Sequence, residues 1–167
     1  MTTVVKGLYA GTFDPPTNGH LDLIRRSLKF CNTLVVAIGI NPAKKTLFSE
    51  MERVGLLNKM LNSPEFDKVS VTSFSGLLVD YAKDIGANLL IRGIRSVSDF
   101  EYEINLAGVN KTLFPQIETA FLPTDPTLSV VSSSMVKEIA KHGGDISRFV
   151  PAPVVGALLE KIKNTPK

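Results

Sequence analysis

At 167 residues and 44% apolar side chains, the chain is long enough for one domain with a real core, and 21% charged residues exclude the composition of a disordered protein. A net charge of +3 is too mild to mark a nucleic-acid binder and fits a protein whose few surplus cations handle a small anion. No apolar run approaches the ~20 residues of a membrane helix, no signal peptide is read, and the single cysteine, Cys31, excludes an internal disulfide, so the expected compartment is the cytoplasm.

The first predicted strand is Val4–Tyr9. It leads into a turn-forming loop, Gly11-Thr12-Phe13-Asp14-Pro15-Pro16-Thr17-Asn18-Gly19-His20. A helix is predicted over Gly19–Cys31, where Leu21, Ile24, Leu28 and Cys31 recur at helical spacing and mark Cys31 as a core thiol. In a parallel sheet, the N–H groups opening such a helix point at bound phosphate. The loop has neither the GxxxxGK[ST] of a P-loop nor a GxGxxG. It carries the Thr12 hydroxyl and the His20 imidazole, which is able to carry a positive charge, to the mouth of the helix.

A second strand, Leu34–Ile40, ends at Asn41-Pro42-Ala43-Lys44-Lys45-Thr46. Two adjacent lysines are usually a solvated pair, but after a strand's carboxyl end at least one can bind an anion. Ser49 and Glu52 read as a capping box opening a helix over Glu50–Asn62. Strand Val69–Phe74 and helix Leu77–Ile85 follow, with Gly86 as the stop. The fourth strand, Asn88–Arg92, runs into Arg92-Gly93-Ile94-Arg95: two guanidiniums suited to two phosphate groups, and a glycine that lets backbone approach a ligand.

Ser98 and Glu101 read as a second capping box, before a helix predicted over Asp99–Leu113. That helix has two apolar stripes, Phe100, Ile104 and Ala107 against Tyr102, Leu106, Val109 and Leu113. One is expected on the sheet; the other lies in a subunit interface or is buried within the same domain. Asp99 and Glu103 orient the arginines, meet a ribose hydroxyl, or are surface charges. After the fifth strand, Ile117–Leu122, comes Leu128-Ser129-Val130-Val131-Ser132-Ser133-Ser134, with more hydroxyls than one helix cap requires. Together with free helix N–H groups they form a nest for polyphosphate. Helices Ser133–His142, stopped by Gly143, and Pro153–Lys163 close the chain; His142 is expected to serve a helix C-terminus.

Strands alternating with helices predict an α/β protein: a Rossmann-like, doubly wound sheet of five mainly parallel strands with helices on both faces, in one domain over residues 1–167. Four loops then converge on one sheet edge, bringing Thr12 and His20, Lys44, Arg92 and Arg95, and the serine run. Neither a Cys/His metal cluster, a Ser-His-Asp set nor paired carboxylates stand out. Such an inventory suits phosphoryl or nucleotidyl transfer, in which positioning and charge stabilisation suffice.

The loop GTFDPxTNGH resembles the (T/H)xGH signature of the nucleotidyltransferases. The series Tyr9-x-Gly11-Thr12-Phe13-Asp14-Pro15, Asn41-Pro42-x-Lys44-Lys45, Glu52-Arg53, Gly76-Leu77-Leu78-Val79-Asp80, Ile91 to Arg95, Asp99 to Glu103 and Ser132-Ser133-Ser134 resembles the phosphopantetheine adenylyltransferases along nearly the whole chain. The resemblance implies transfer of the adenylyl group of ATP to 4′-phosphopantetheine, with dephospho-coenzyme A and pyrophosphate as products. It implies His20, Thr12, Lys44 and Arg92 as catalytic residues, and Thr12, Lys44, Leu78 and Arg92 around phosphopantetheine. Around ATP it implies Thr12, Phe13, His20, Gly93, Ile94, Arg95, Glu103 and the run Leu128, Ser129, Val130, Val131, Ser132, Ser133 and Ser134. Leu128 and Val130 stand where relatives often have aromatic residues. Mg2+ is expected on the ATP phosphates rather than in a protein cage, and the assembly as a homohexamer, a dimer of trimers, with no nucleic acid or membrane partner. Rival readings are a related transferase acting on nicotinate mononucleotide or glycerol phosphate, and a silent nucleotide-binding protein of the same fold.

Overall fold

The computed structural model describes residues 4–164. Five strands, β1 (Lys6–Gly11), β2 (Thr33–Ile40), β3 (Val69–Ser75), β4 (Leu89–Ile94) and β5 (Glu118–Pro123), form one sheet in the order β3-β2-β1-β4-β5. Every neighbouring pair is parallel. The helices are α1 (Asn18–Ser27), α2 (Glu50–Met60), α3 (Leu78–Asp84), α4 (Val97–Leu113), α5 (Ser133–Lys141) and α6 (Ala152–Lys163).

Strand alternation sorts the core onto the two sheet faces. Tyr9, Val36, Ile38 and Ile91 pack with Leu23 and Ile24 of α1 and Leu57 and Met60 of α2. The intervening Leu8, Val35, Ala37 and Leu90 pack with Ala82 of α3 and with Phe114, just past α4. The chain winds outward from β1 to β3 with helices on one face, then crosses back to β4 with helices on the other. The winding reverses between β1 and β4, which leaves a crevice beyond their carboxyl ends. A further core of Phe48, Leu56, Val131, Val136, Ala140, Ile146, Val150, Val154 and Leu158 joins α2, α5 and α6. It holds the start of α5 against the first loop: Asn18 N–H donates to the Phe149 carbonyl at 2.9 Å, and the Ser133 hydroxyl donates to the Pro15 carbonyl at 2.7 Å.

Two local expectations are corrected. The cap of α4 is Ser96, whose hydroxyl accepts from Asp99 N–H at 3.1 Å, and not Ser98. Neither apolar stripe of α4 faces the sheet as a whole. Glu103, Ala107 and Asn110, at positions i, i+4 and i+7, turn inward with Leu106, because Glu103 swings in to pair with Arg92 at the end of β4. Val97, Tyr102, Ile104, Val109 and Leu113 are left exposed. Cys31 is buried in the core as expected, and Gly86 and Gly143 take the positive φ of helix ends (66° and 75°).

Candidate active site

The crevice holds two adjoining chambers. The first, about 280 Å3, is walled by Tyr9 to Phe13 from β1 and its loop, His20 and Leu23 from α1, Arg92 and Gly93 from β4, Arg95 just past it, and Val131, Ser132 and Ser133 before and in α5. The second, also about 280 Å3, is lined by Thr12, Asp14, Lys44, Lys45, Thr46, Ser133, Ser134 and Lys137. Thr12 and Ser133 line both.

His20 is fixed by its own helix. It sits at the third position of α1, where its Nδ1 accepts the Thr17 N–H at 2.9 Å while the Thr17 hydroxyl accepts the His20 N–H at 3.4 Å. A histidine here does the work of the usual capping-box glutamate. With Nδ1 occupied as an acceptor, the hydrogen-bond pattern assigns the proton of the neutral ring to Nε2, leaving an N–H donor. The ring packs edge-on to Phe13, centroids 4.9 Å apart. Phe13 itself holds φ at +50°, a conformation uncommon for a side chain of that size, with its ring also edge-on to Tyr9.

Burial, and then the nearby Arg95 charge, pull the His20 pKa down to about 4 from an ordinary 6.5. By residue type His20 is able to carry a positive charge; in the free enzyme burial and Arg95 favour its neutral form, which donates through Nε2–H. A folded-state value below the unfolded one gives stability that is present above pH 6.5 and lost as pH falls from about 6.5 to about 4, levelling off below. An NMR titration is expected to show the His20 ring protonating near pH 4; a midpoint near 6.5 contradicts the assignment.

Arg92 lies in a tight frame. Its Nε donates to Glu103 Oε2 at 2.7 Å, Nη2 pairs with Oε1, and Nη1 donates to the Ala10 carbonyl at 3.0 Å. Burial works against its charge, but the Glu103 carboxylate outweighs burial and the net shift is upward. Arg95 pairs with Asp99 at 3.1 Å, so both acids orient arginines. Burial holds the Tyr9 phenol well above its usual pKa against the pull of Arg92 and Arg95. Gly93 lines the first chamber with bare backbone, and a Cβ there would also come within 2.7 Å of a Leu23 methyl on α1.

The serine run is partly spent on structure. Ser132 caps α5, accepting from Met135 N–H at 3.1 Å, and Ser133 holds Pro15. Ser129 donates to the Pro126 carbonyl, Leu128 packs on the α2–α5–α6 core, and Val130 is 62% exposed. Arg92 lines the first chamber and not the second; Ile94, Glu103, Leu128, Ser129 and Val130 line neither, and Leu78, also outside both, packs in part on the core beneath α3.

Three supports of the site carry no mark of that role in the sequence. Asp14, 4% exposed, accepts from Leu47 N–H at 2.9 Å and Phe48 N–H at 2.8 Å, and pairs with Lys137 at 2.7 Å. Arg53, 5% exposed, donates to the Thr12 carbonyl at 2.9 Å. Thr17 positions His20. For Lys137 the available signal was its i,i+4 spacing from Ser133, which puts both on one face of α5.

A family model described as cytidylyltransferase-like matches residues 8–139. Over 160 residues the chain is 44% identical to a phosphopantetheine adenylyltransferase of Brucella suis, spanning 94% of this chain and 98% of that protein. The corresponding protein of Brucella anthropi gives the same identity and coverage. Among solved structures, the Plasmodium falciparum nicotinic acid mononucleotide adenylyltransferase complexed with NaAD superposes with a TM-score of 0.67, covering 96% of this chain and 95% of that one. At 16% identity that likeness shows the fold alone.

Proposed function

The chain belongs to the cytidylyltransferase-like family and, within it, to the phosphopantetheine adenylyltransferases; from that premise we propose how the crevice divides the work. The enzyme transfers the adenylyl group of ATP to 4′-phosphopantetheine, forming dephospho-coenzyme A and pyrophosphate in coenzyme A biosynthesis.

In our reading ATP occupies the first chamber, against His20, Phe13, Gly93, Arg95 and the amides opening α5, with Ile94, Glu103 and the Leu128–Ser134 segment around it. The acceptor phosphate occupies the second chamber beside Lys44, with Leu78 toward the pantetheine arm. The observation that carries this division is that Thr12 lines both chambers. A phosphate in the second chamber is thus brought to the α-phosphorus of a nucleotide in the first, and in-line attack there expels pyrophosphate. The protein need form no covalent intermediate; it aligns the reactants and meets charge on the crowded phosphorus. Thr12 donates from the junction, the His20 Nε2–H donates to the α-phosphate, and Arg92, framed by Glu103 in the wall of the first chamber, meets the acceptor phosphate with fixed positive charge as it reaches the α-phosphorus.

Among the described residues no three His, Cys, Asp or Glu side chains stand together as a metal cage. Mg2+ is proposed to be carried on the ATP phosphates, whose charge it would neutralise. The exposed apolar side of α4 supports assembly of this single nucleotidyltransferase domain into a homohexamer built from trimers. A cytoplasmic location goes with ATP as co-substrate; no helix among the described residues is long and apolar enough to cross a membrane.

Lys44 has no side-chain partner among the described residues, consistent with a cation waiting for an anion. Lys44→Ala is expected to raise the KM for phosphopantetheine by about tenfold, the loss of one charge-assisted hydrogen bond, with the KM for ATP within about twofold. Steady-state kinetics with each substrate varied in turn is the test, and an unchanged acceptor KM overturns the placement.

A further inference from the structure

The second chamber contains a group that the division of labour above leaves unused. Lys137 lies on α5, four residues after Ser133 and three after Ser134, so all three share a face, and all three line the chamber with Thr12 and Lys44. Its ammonium is 2.7 Å from Asp14 Oδ2, and its side chain is 23% exposed, facing the chamber.

Asp14 poses an electrostatic problem that Lys137 solves. The carboxylate is needed structurally, since its two oxygens take the N–H groups of Leu47 and Phe48 and so tie down the end of the segment that carries Lys44. Yet a carboxylate in the wall of an anion chamber repels the phosphate it should receive. Lys137 cancels that charge. An ammonium has three donors, and Asp14 takes one. The others are available to a phosphate held between Lys44, Thr12 and Ser134.

We propose that Lys137 is a further substrate-contacting residue, its ammonium shared between Asp14 and the phosphate of the acceptor. This rests on the placement of the acceptor in the second chamber. Two consequences separate it from a purely structural ion pair. Loss of Lys137 acts on one substrate and not the other, and a longer cation partly restores what a neutral side chain cannot.

The test is steady-state kinetics of Lys137→Gln and Lys137→Arg, with Lys44→Ala as reference and thermal unfolding of each variant alongside. Lys137→Gln is expected to raise the phosphopantetheine KM by about tenfold or more, with the ATP KM within about twofold, and Lys137→Arg to recover part of the loss. If Lys44→Ala raises the acceptor KM while Lys137→Gln lowers only the unfolding temperature, Lys137 is a structural partner of Asp14 and the proposal fails alone. If Lys44→Ala also leaves the acceptor KM unchanged, the chamber's assignment fails with it. Should Lys137→Gln unfold, Lys137→Arg decides: an acceptor KM and an ATP KM shifted equally overturn the proposal, and a shift confined to the acceptor supports it.

Discussion

His20→Ala is expected to lower kcat by about 10²–10³-fold while changing the KM for ATP far less, as for loss of one donor aimed at transition-state charge. The expectation comes from how the ring is held. Nδ1 is committed to the Thr17 N–H, so Nε2 presents its proton in one direction without reorganisation. Burial and the Arg95 charge favour the neutral ring in the free enzyme, so the ring serves as a directed hydrogen-bond donor rather than as a fixed charge. What it offers grows in value only as charge builds on the α-phosphate. The same substitution removes a cap from α1, at a cost of about 1 kcal/mol of stability, too little to explain a loss of that size in kcat. Equal losses in kcat and ATP affinity would make His20 a ground-state binding residue instead.

Asp14→Ala is expected to be the most destabilising single change in the crevice. It removes the acceptor from two backbone N–H groups, one of them on Phe48, which is only 3% exposed. It also strips Lys137 of its counter-charge. Breaking such a pair from one side costs about 3–5 kcal/mol. For a chain of this size that lowers Tm by roughly 6–20 °C. Asp14→Asn retains one acceptor oxygen and is expected to lose less. Activity falls in both, because the segment bearing Lys44 loses its anchor. Denaturant unfolding measures the effect, and a change under about 0.5 kcal/mol for Asp14→Ala would show that the buried carboxylate anchors nothing.

The fold was legible because its signals are local. Alternating β-branched runs placed all five strands within two residues, and the Ser49–Glu52 box and the two stop glycines are chain-neighbour chemistry. The errors lie where distant residues decide. Ser96 and Ser98 each precede an acid by three positions, and nothing local separates them. The phase of α4 follows Glu103 toward Arg92, against both apolar stripes. The charge of His20 depends on burial and on Arg95, 75 positions along the chain, so its residue type could be read but its protonation could not. Asp14 and Lys137 are 123 positions apart, and only folding reveals that one neutralises the other. The chemistry-bearing groups were visible because they sit where strands end; their supporting partners were not, because each is an ordinary charge until its counterpart arrives.

The most direct measurement is pyrophosphate release from ATP and Mg2+ with phosphopantetheine, set beside the same assay with nicotinate mononucleotide as acceptor and with none. Release is expected with phosphopantetheine alone, with dephospho-coenzyme A formed in equal amount. Release only with nicotinate mononucleotide, or none with any acceptor while ATP still binds, would contradict that expectation.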